Sequence, residues 1–465
     1  MRAARWLFAY GVVLVAAVTW PFLVPGEAFL HRDMVVFDGM ALTRAALGFG
    51  DLPARNVPQD ALLAVVPHPV LVLRVVMVGA AAAAAWAGWR LGRTNAGKAA
   101  AMTVAVFNPF VVERMLQGQW SLAVAAWLVP AAALGWRERA PWAVVAHWAA
   151  SLTPSGALAA AVFARGRLGA VTSAVTCAPW AVAGMLAAGG GQASAASAAA
   201  FAPRAEGHVG TLGALLGLGG VWNAGAVPAS REVGFALFGV VLFGLLALGW
   251  RAVPRGWLLA AGAGFAVAVA SWAGFLAPLV ERVPGGGLLR DAQKWLILAL
   301  PAFVAAAGAL EARVAKAAAA CALLQVPDAP VALATLTPSQ LEVVEVDHGG
   351  RDVLFEGASS LVLIDGTPTV NPSFKAMSVV EPGALVVDGV VVDAPNARWV
   401  AAQGADVGTL RALGVGLVVH ADGSVTDTGA PAKPLPPAGV ALFALWLTVP
   451  LLALCSKSQK SSARR

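Results

Sequence analysis

Residues 6–38 read WLFAYGVVLVAAVTWPFLVPGEAFLHRDMVVFD, and this stretch decides the fold. Its first part, 6–24, carries no charged residue and is long enough to cross a hydrocarbon core of about 30 Å as a helix. No small-x-small cleavage pattern follows it, so it reads as a retained span. Directly behind it come His31, Arg32, Asp33 and Asp38. Acids placed just beyond a membrane boundary, in a chain poor in acids, call for a chemical reason.

The rest of the composition agrees with a membrane protein. Of the 465 residues 59% are hydrophobic and only 12% charged, against about 25% charged in an ordinary soluble domain. The net charge of +7 does not point to nucleic acid. More than half of the basic residues sit in short gaps between apolar segments or at the termini, among them Arg90, Arg93, Lys98, Arg137, Arg139, Arg251, Arg255, Arg313, Lys316 and Lys457. That pattern marks the cytoplasmic side by the positive-inside rule. Cys177, Cys321 and Cys455 lie in apolar segments without metal or disulfide spacing, and read as small apolar residues.

Alternating the segments about these basic gaps predicts a multi-pass protein of the cell membrane with both termini cytoplasmic. It has about ten full spans plus one pair of half-helices, the pair lying at 141–164 around LTPSG. NPFVVERMLQGQW (108–120) is expected as an outer turn. Composition shifts near residue 337 to short β-type runs: LEVVEV, SLVLID, ALVVDGVVV and VGLVVH, with a helix expected over about 406–413. The predicted organisation is a bundle with outer loops over 1–336, a small extracytoplasmic α+β domain over 337–432, and a last span with a basic tail over 433–465.

Three constellations are candidates for chemistry. In the first outer loop, Asp33 or Asp38 is positioned to act as a general base, with His31, Arg32 and Arg44 as phosphate ligands or as groups that keep the carboxylate ionised. The alternative is a solvated juxtamembrane loop. In the second, Pro109 starts a helix presenting Glu113, Arg114 and Gln117; a structural Glu–Arg pair is the alternative, since charge at membrane depth is costly unless paired or functional. In the third, RDAQKW, Arg290 and Lys294 stand four residues apart and share a helix face suited to a phosphate, unless Asp291 neutralises one of them. No Walker loop, nucleophile elbow, dinucleotide fingerprint or zinc motif is present; no cofactor is indicated, and a divalent metal stays possible although no acid cluster argues for it.

Together the acid-bearing first loop, the NPFVVERMLQGQW turn, the LLRDAQKW loop and the outer domain ending in LRALGVGLVVH resemble a family of actinobacterial polytopic membrane proteins of GT-C glycosyltransferase-like architecture. The resemblance covers nearly the full length. It implies transfer of a sugar from a polyprenyl-phosphate donor to a glycan or lipid acceptor of the cell envelope on the outer face. It also implies Asp33 as the base, Asp38 as the other candidate, and Arg290, Lys294 and Arg114 on the donor phosphate. The chain departs from the family pattern in having two acids compete for the base position. A non-catalytic membrane scaffold or a lipid or glycan carrier on the same fold is the competing reading. A secondary transporter would need inverted repeats and charges at mid-membrane, and neither is evident.

Overall fold

A computed structural model describes residues 2–186, 194–283, 285–341, 346–387 and 389–454. The molecule is mostly helical with a small sheet-containing region. Among the described residues seven helices are long and apolar enough to cross a membrane: Ala4–Leu23, Pro69–Leu91, Asn95–Leu116, Gly166–Leu186, Ala292–Ala309, Ala312–Leu336 and Pro437–Leu454. The expectation of ten full spans is therefore reduced to seven by these criteria. Of the others, Leu237–Ala247 has only 11 residues, Trp120–Glu138 ends in charged residues, and Arg255–Trp272 begins with one.

Asn95–Leu116 is the centre of the bundle, with every residue from Ala99 to Leu116 buried within the protein. Its sequence explains the position. Small residues let neighbouring backbones approach closely: a side chain on Gly88 would strike the backbone of Ala101 and Met102, and one on Gly97 the carbonyl of Gly308. Large apolar side chains such as Phe8, Leu71, Val75, Leu259 and Phe275 instead face outward from other helices, as lipid-facing positions do.

Within NPFVVERMLQGQW the reversal lies at the GQ end and not at NPF. Residues 95–116 form one crossing, interrupted between helices Asn95–Val106 and Pro109–Leu116. Asn108 repairs the break: its Oδ1 accepts from the Val111 N–H, while its Nδ2 donates to the carbonyls of Val104 and Ala105. Irregular backbone at such depth is tolerated when protein groups satisfy it. The chain reverses later, at Gly118.

At 141–164 the structure has two short helices, Trp142–Ala150 and Pro154–Phe163. Trp142 stacks edge-on to Trp86 near the end of Pro69–Leu91, and Phe163 meets Trp257 near the start of Arg255–Trp272. The break at Ser151 is held by a hydrogen bond from Trp446 Nε1 to Ser151 Oγ, 2.9 Å.

Two ends of the bundle can be told apart. Helices Pro69–Leu91 and Trp120–Glu138, 23 and 19 residues long, rise about 34 and 28 Å from an end bearing the acid-rich first loop to an end bearing Arg90 and Arg137.

The first loop is not irregular. It forms an antiparallel hairpin, β1 (Ala28–His31) and β2 (Met34–Phe37), with His31 opposite Met34 and only Arg32 and Asp33 between the strands. The domain beyond it contains β3 (Val353–Phe355), which RDVLFEG did not lead us to expect. The expected LEVVEV run lies largely outside the described residues. Hairpins follow: β4 (Leu361–Ile364) with β5 (Thr367–Val370), and β6 (Leu385–Val387) with β7 (Val390–Asp393). Helices Ala397–Ala402 and Val407–Ala412 precede β8 (Leu417–Val419), which pairs parallel to β3 and antiparallel to β9 (Val425–Asp427). Leu354, Val380, Ala402, Leu410, Val415 and Val418 form the core under the two helices.

This domain is seated on the bundle by polar contacts. The Val370 N–H donates to the Arg32 carbonyl, 2.9 Å, and the Ala41 N–H to the Lys375 carbonyl, 2.8 Å. Asp51 pairs with Arg398, 2.8 Å, and Asp60 with Lys375.

Candidate functional site

The turn of the β1–β2 hairpin presents Asp33, and three contacts fix it. Arg32 takes a left-handed conformation, φ 53°, turning the chain in two residues. His31 Nε2 bonds the Leu116 carbonyl at 2.8 Å, and the Asp33 N–H donates to the Gln117 carbonyl at 3.3 Å. Gly118, φ +81°, lies directly beneath: a Cβ there would stand 2.4 Å from both His31 O and Met34 N. Only glycine permits both that φ and that approach.

The Asp33 carboxylate accepts from Gln117 Nε2 and from Gln119 Nε2, each at 3.3 Å. Both amides are oriented by their other ends. Gln117 Oε1 accepts from Asn223 Nδ2, 2.7 Å, and Gln119 Oε1 from Arg114 Nη1, 2.7 Å. An amide whose oxygen is taken by a donor must turn its NH2 the other way, here toward Asp33. The carboxylate has no ion-pair partner among the described residues. Its side chain reaches solvent, while protein groups including Arg55 and Asp291 stand close enough to act on it electrostatically. Burial pushes its pKa above the ordinary value and nearby Asp291 adds to this, while Gln117, Gln119 and Arg55 act the other way.

Arg114 is wholly buried. Its fork grips Asp291, with Nη1 to Oδ2 at 2.5 Å and Nη2 to Oδ1 at 3.0 Å, and Nη2 also donates to Gln293. Gln293 Nε2 in turn donates to the Gly219 carbonyl, 3.1 Å. Arg114 is thus occupied by protein acceptors and ties the turn at 117–119 to residues 291–293. Burial works against the charge of Asp291, but Arg114, by charge and hydrogen bond, outweighs it and holds this carboxyl below its usual range.

Arg290 and Lys294 both act electrostatically on Asp291, though not from one α-helical face as the spacing suggested. Asp291 is non-helical, φ −91° and ψ 78°, and residues 292–299 form a 3₁₀ helix. Arg290 Nη1 donates to both oxygens of Asp393, 2.7 and 2.8 Å, and its guanidinium lies 4.1 Å from the Phe201 ring centroid. Arg55 reaches Asp393 at 3.5 Å. Lys294 lies within electrostatic range of Arg55, Arg114, Arg290 and Asp291, yet makes no ion pair at contact distance among the described residues.

The remaining candidates lie elsewhere. Asp38 accepts from the Val70 N–H at 3.3 Å and faces His68, so it serves the start of helix Pro69–Leu91. It is separated from Asp33 by the length of β2. Arg44 donates to the Pro434 carbonyl, and Arg32 to that of Gly225. His31 is buried, and its imidazole is pushed down by burial. Glu113 belongs to a buried triad with Arg231 and Glu206 and makes no contact with Asp33 among the described residues. Arg231 Nε lies 2.6 Å from Glu206 Oε2 and 3.4 Å from Glu113 Oε1, and the Val221 and Gly220 N–H groups donate to Glu113 and Glu206 respectively. A Cβ on Gly219 would collide with all three side chains.

Sequence reasoning missed Arg55, Gln119, Asn223, Gln293 and Asp393. Gln119 stood inside a quoted motif; Arg55 and Asp393 carried no local signal. Among the described residues no group of three or more His, Cys, Asp or Glu side chains gathers as a metal site would require. In comparison with known proteins, the chain matches no family model, no curated protein and no solved structure.

Proposed function

We propose that this protein is a membrane glycosyltransferase of GT-C type, multi-pass in the cell membrane with both termini cytoplasmic and the α+β domain outside. It transfers a sugar from a polyprenyl-phosphate donor to a glycan or lipid acceptor of the cell envelope. One observation supports the reading: a carboxylate and an ammonium, Asp33 and Lys294, each stand within electrostatic range of Arg55 and Asp291 without being committed to any ion pair among the described residues. Such a pair suits a substrate that brings both a hydroxyl to deprotonate and an anion to hold.

In this reading Asp33 accepts the proton of the acceptor hydroxyl as its oxygen forms a bond to the anomeric carbon. The bond from that carbon to the phosphate oxygen breaks, and its electron pair leaves on the polyprenyl phosphate. Lys294, Arg55 and Arg290 stabilise that leaving charge. Arg114, Gln117 and Gln119 position the base without touching substrate.

The test uses the full chain reconstituted in vesicles with a panel of radiolabelled polyprenyl-phosphate hexoses and pentoses and envelope glycan as acceptor. Asp33→Asn is expected to lower transfer by about 10²–10⁴-fold, the range of general-base catalysis, with unchanged expression and thermal unfolding. Full activity in Asp33→Asn sinks the proposal.

The occupation of Arg290 by Asp393 favours a second reading, a non-catalytic scaffold or lipid/glycan carrier. It predicts retention of polyprenyl phosphate by wild type and Asp33→Asn alike, with no transfer by either.

A further inference from the structure

At the bundle end opposite Asp33 lies a recess, of about 350 Å³, lined by Arg90, Arg93, Arg137 and Glu138 over walls of Leu91, Leu134 and alanines. It sits where helices Pro69–Leu91, Trp120–Glu138 and Leu300–Ala309 terminate together. The Arg93 N–H donates to the Gly308 carbonyl, 2.9 Å, and closes one side.

Charge in the recess is unbalanced. Arg90 Nη2 donates to both oxygens of Glu138, 2.9 and 3.0 Å, which uses the one acid present. Arg93 and Arg137 have no ion pair among the described residues. Helix C-termini favour cations in their last turn, which accounts for Arg90 and Arg137. It does not account for Arg93, which lies in the loop beyond the helix end.

We infer that this recess binds the phosphate of an anionic phospholipid headgroup, with Arg93 and Arg137 as its ligands and Arg90 held in place by Glu138. The chemistry is that of a phosphate ester: guanidinium forks match its oxygens. The ends of membrane-crossing helices lie at headgroup level, and the leucine and alanine walls suit the glycerol and first methylenes behind the phosphate. Free phosphate would use the arginines but not the apolar walls. The inference is independent of the glycosyltransferase reading, since no residue is shared with the Asp33 site.

Native mass spectrometry of the full chain in detergent tests it, with phosphatidylglycerol, phosphatidylcholine of matched acyl chains, and inorganic phosphate as probes. Each basic residue contributes about 5-fold to anionic-lipid binding, so wild type is expected to favour phosphatidylglycerol by about 25-fold. Arg93→Ala and Arg137→Ala each lower that preference about 5-fold, and the double variant approaches parity. Arg93→Lys/Arg137→Lys retains most of it, which separates lost charge from misfolding. Arg139→Ala, outside the recess, leaves it unchanged. Equal retention of the two lipids by wild type overturns the inference, as does a preference that survives in the double alanine variant. Arginine-dependent binding of inorganic phosphate without lipid preference assigns the site to free phosphate and overturns the lipid.

Discussion

Gly118→Ala tests how the Asp33 turn is held. The added Cβ would lie 2.4 Å from His31 O and Met34 N and 2.6 Å from Asp33 N, whereas ordinary van der Waals contact begins near 3.4 Å. All three atoms belong to the backbone of one hairpin, so rotamer changes cannot relieve the clash. The hairpin tip must move by about 1 Å, or the backbone at 118 must leave φ +81°. Holding a non-glycine residue in the left-handed region costs about 1–2 kcal/mol, and overpacking a closed site about 1–3 kcal/mol more. The expected loss is therefore about 2–5 kcal/mol. A displacement of about 1 Å at a reacting group also costs on the order of 10²-fold in rate. Gly39→Ala is the control: it shares a positive φ, +102°, but has nothing within 4 Å of the new Cβ, so only the conformational cost remains. Thermal unfolding in detergent and sugar transfer in vesicles read the two effects. If Gly118→Ala unfolds no earlier than Gly39→Ala and transfers at the wild-type rate, the close approach beneath Asp33 is refuted.

Further outcomes are expected. Replacing Arg231 with Met strands Glu113 and Glu206 in a buried site, and removing one partner of such a network costs about 3–5 kcal/mol; a thermal midpoint equal to wild type contradicts the triad. Burial pushes the Asp33 carboxyl above its ordinary value of 3.8, and a base works only when deprotonated. Transfer should rise with pH through an apparent pKa above 3.8, and Asp33→Glu should shift this limb while a limb unmoved by any change at Asp33 assigns it to another group. Glu381, at the seat of the α+β domain, is pushed up to about 7 by burial, with Asp51 and Asp60 adding and Lys375 opposing. An acid whose pKa rises on folding loses stability as pH climbs from its ordinary 4.5 toward 7. Glu381→Gln should therefore raise the unfolding midpoint at pH 8 and leave it nearly unchanged at pH 4, and an equal shift at both rules the idea out.

What was readable in the chain followed the range of the interactions involved. The apolar segments and the break before Pro154 are local properties of composition and backbone, and both appear in the structure. The β1–β2 hairpin was also local: two apolar runs, AFLH and MVVF, flank two residues, a spacing that signals a hairpin. It was overlooked because the charged residues between them read as loop. The turn expected over 108–120 falls at its far end, at Gly118, because Asn108 satisfies the helix break before Pro109 from within and the helix runs on to Leu116. Asp33 with Gln117 and Gln119 was half visible, since all three lie in motifs that were singled out. The pairing of Asp393 with Arg55 and Arg290 was not, because the partners stand 338 and 103 positions apart and nothing local marks any of them. For the same reason the buried triad was invisible: Glu206 and Arg231 carry no signal until the fold brings them to Glu113.

Asp393 ends β7 in the α+β domain, while Arg290 and Arg55 belong to the bundle and its loop. One carboxylate therefore serves as both an anchor for the domain and an occupant of the arginines. An anion that recruits Arg290 competes with that anchor, so its affinity and the seating of the domain are reciprocally linked: whatever tightens one loosens the other by the same factor. In this arrangement the α+β domain is a tethered competitor whose local concentration sets the threshold that an incoming anion must exceed.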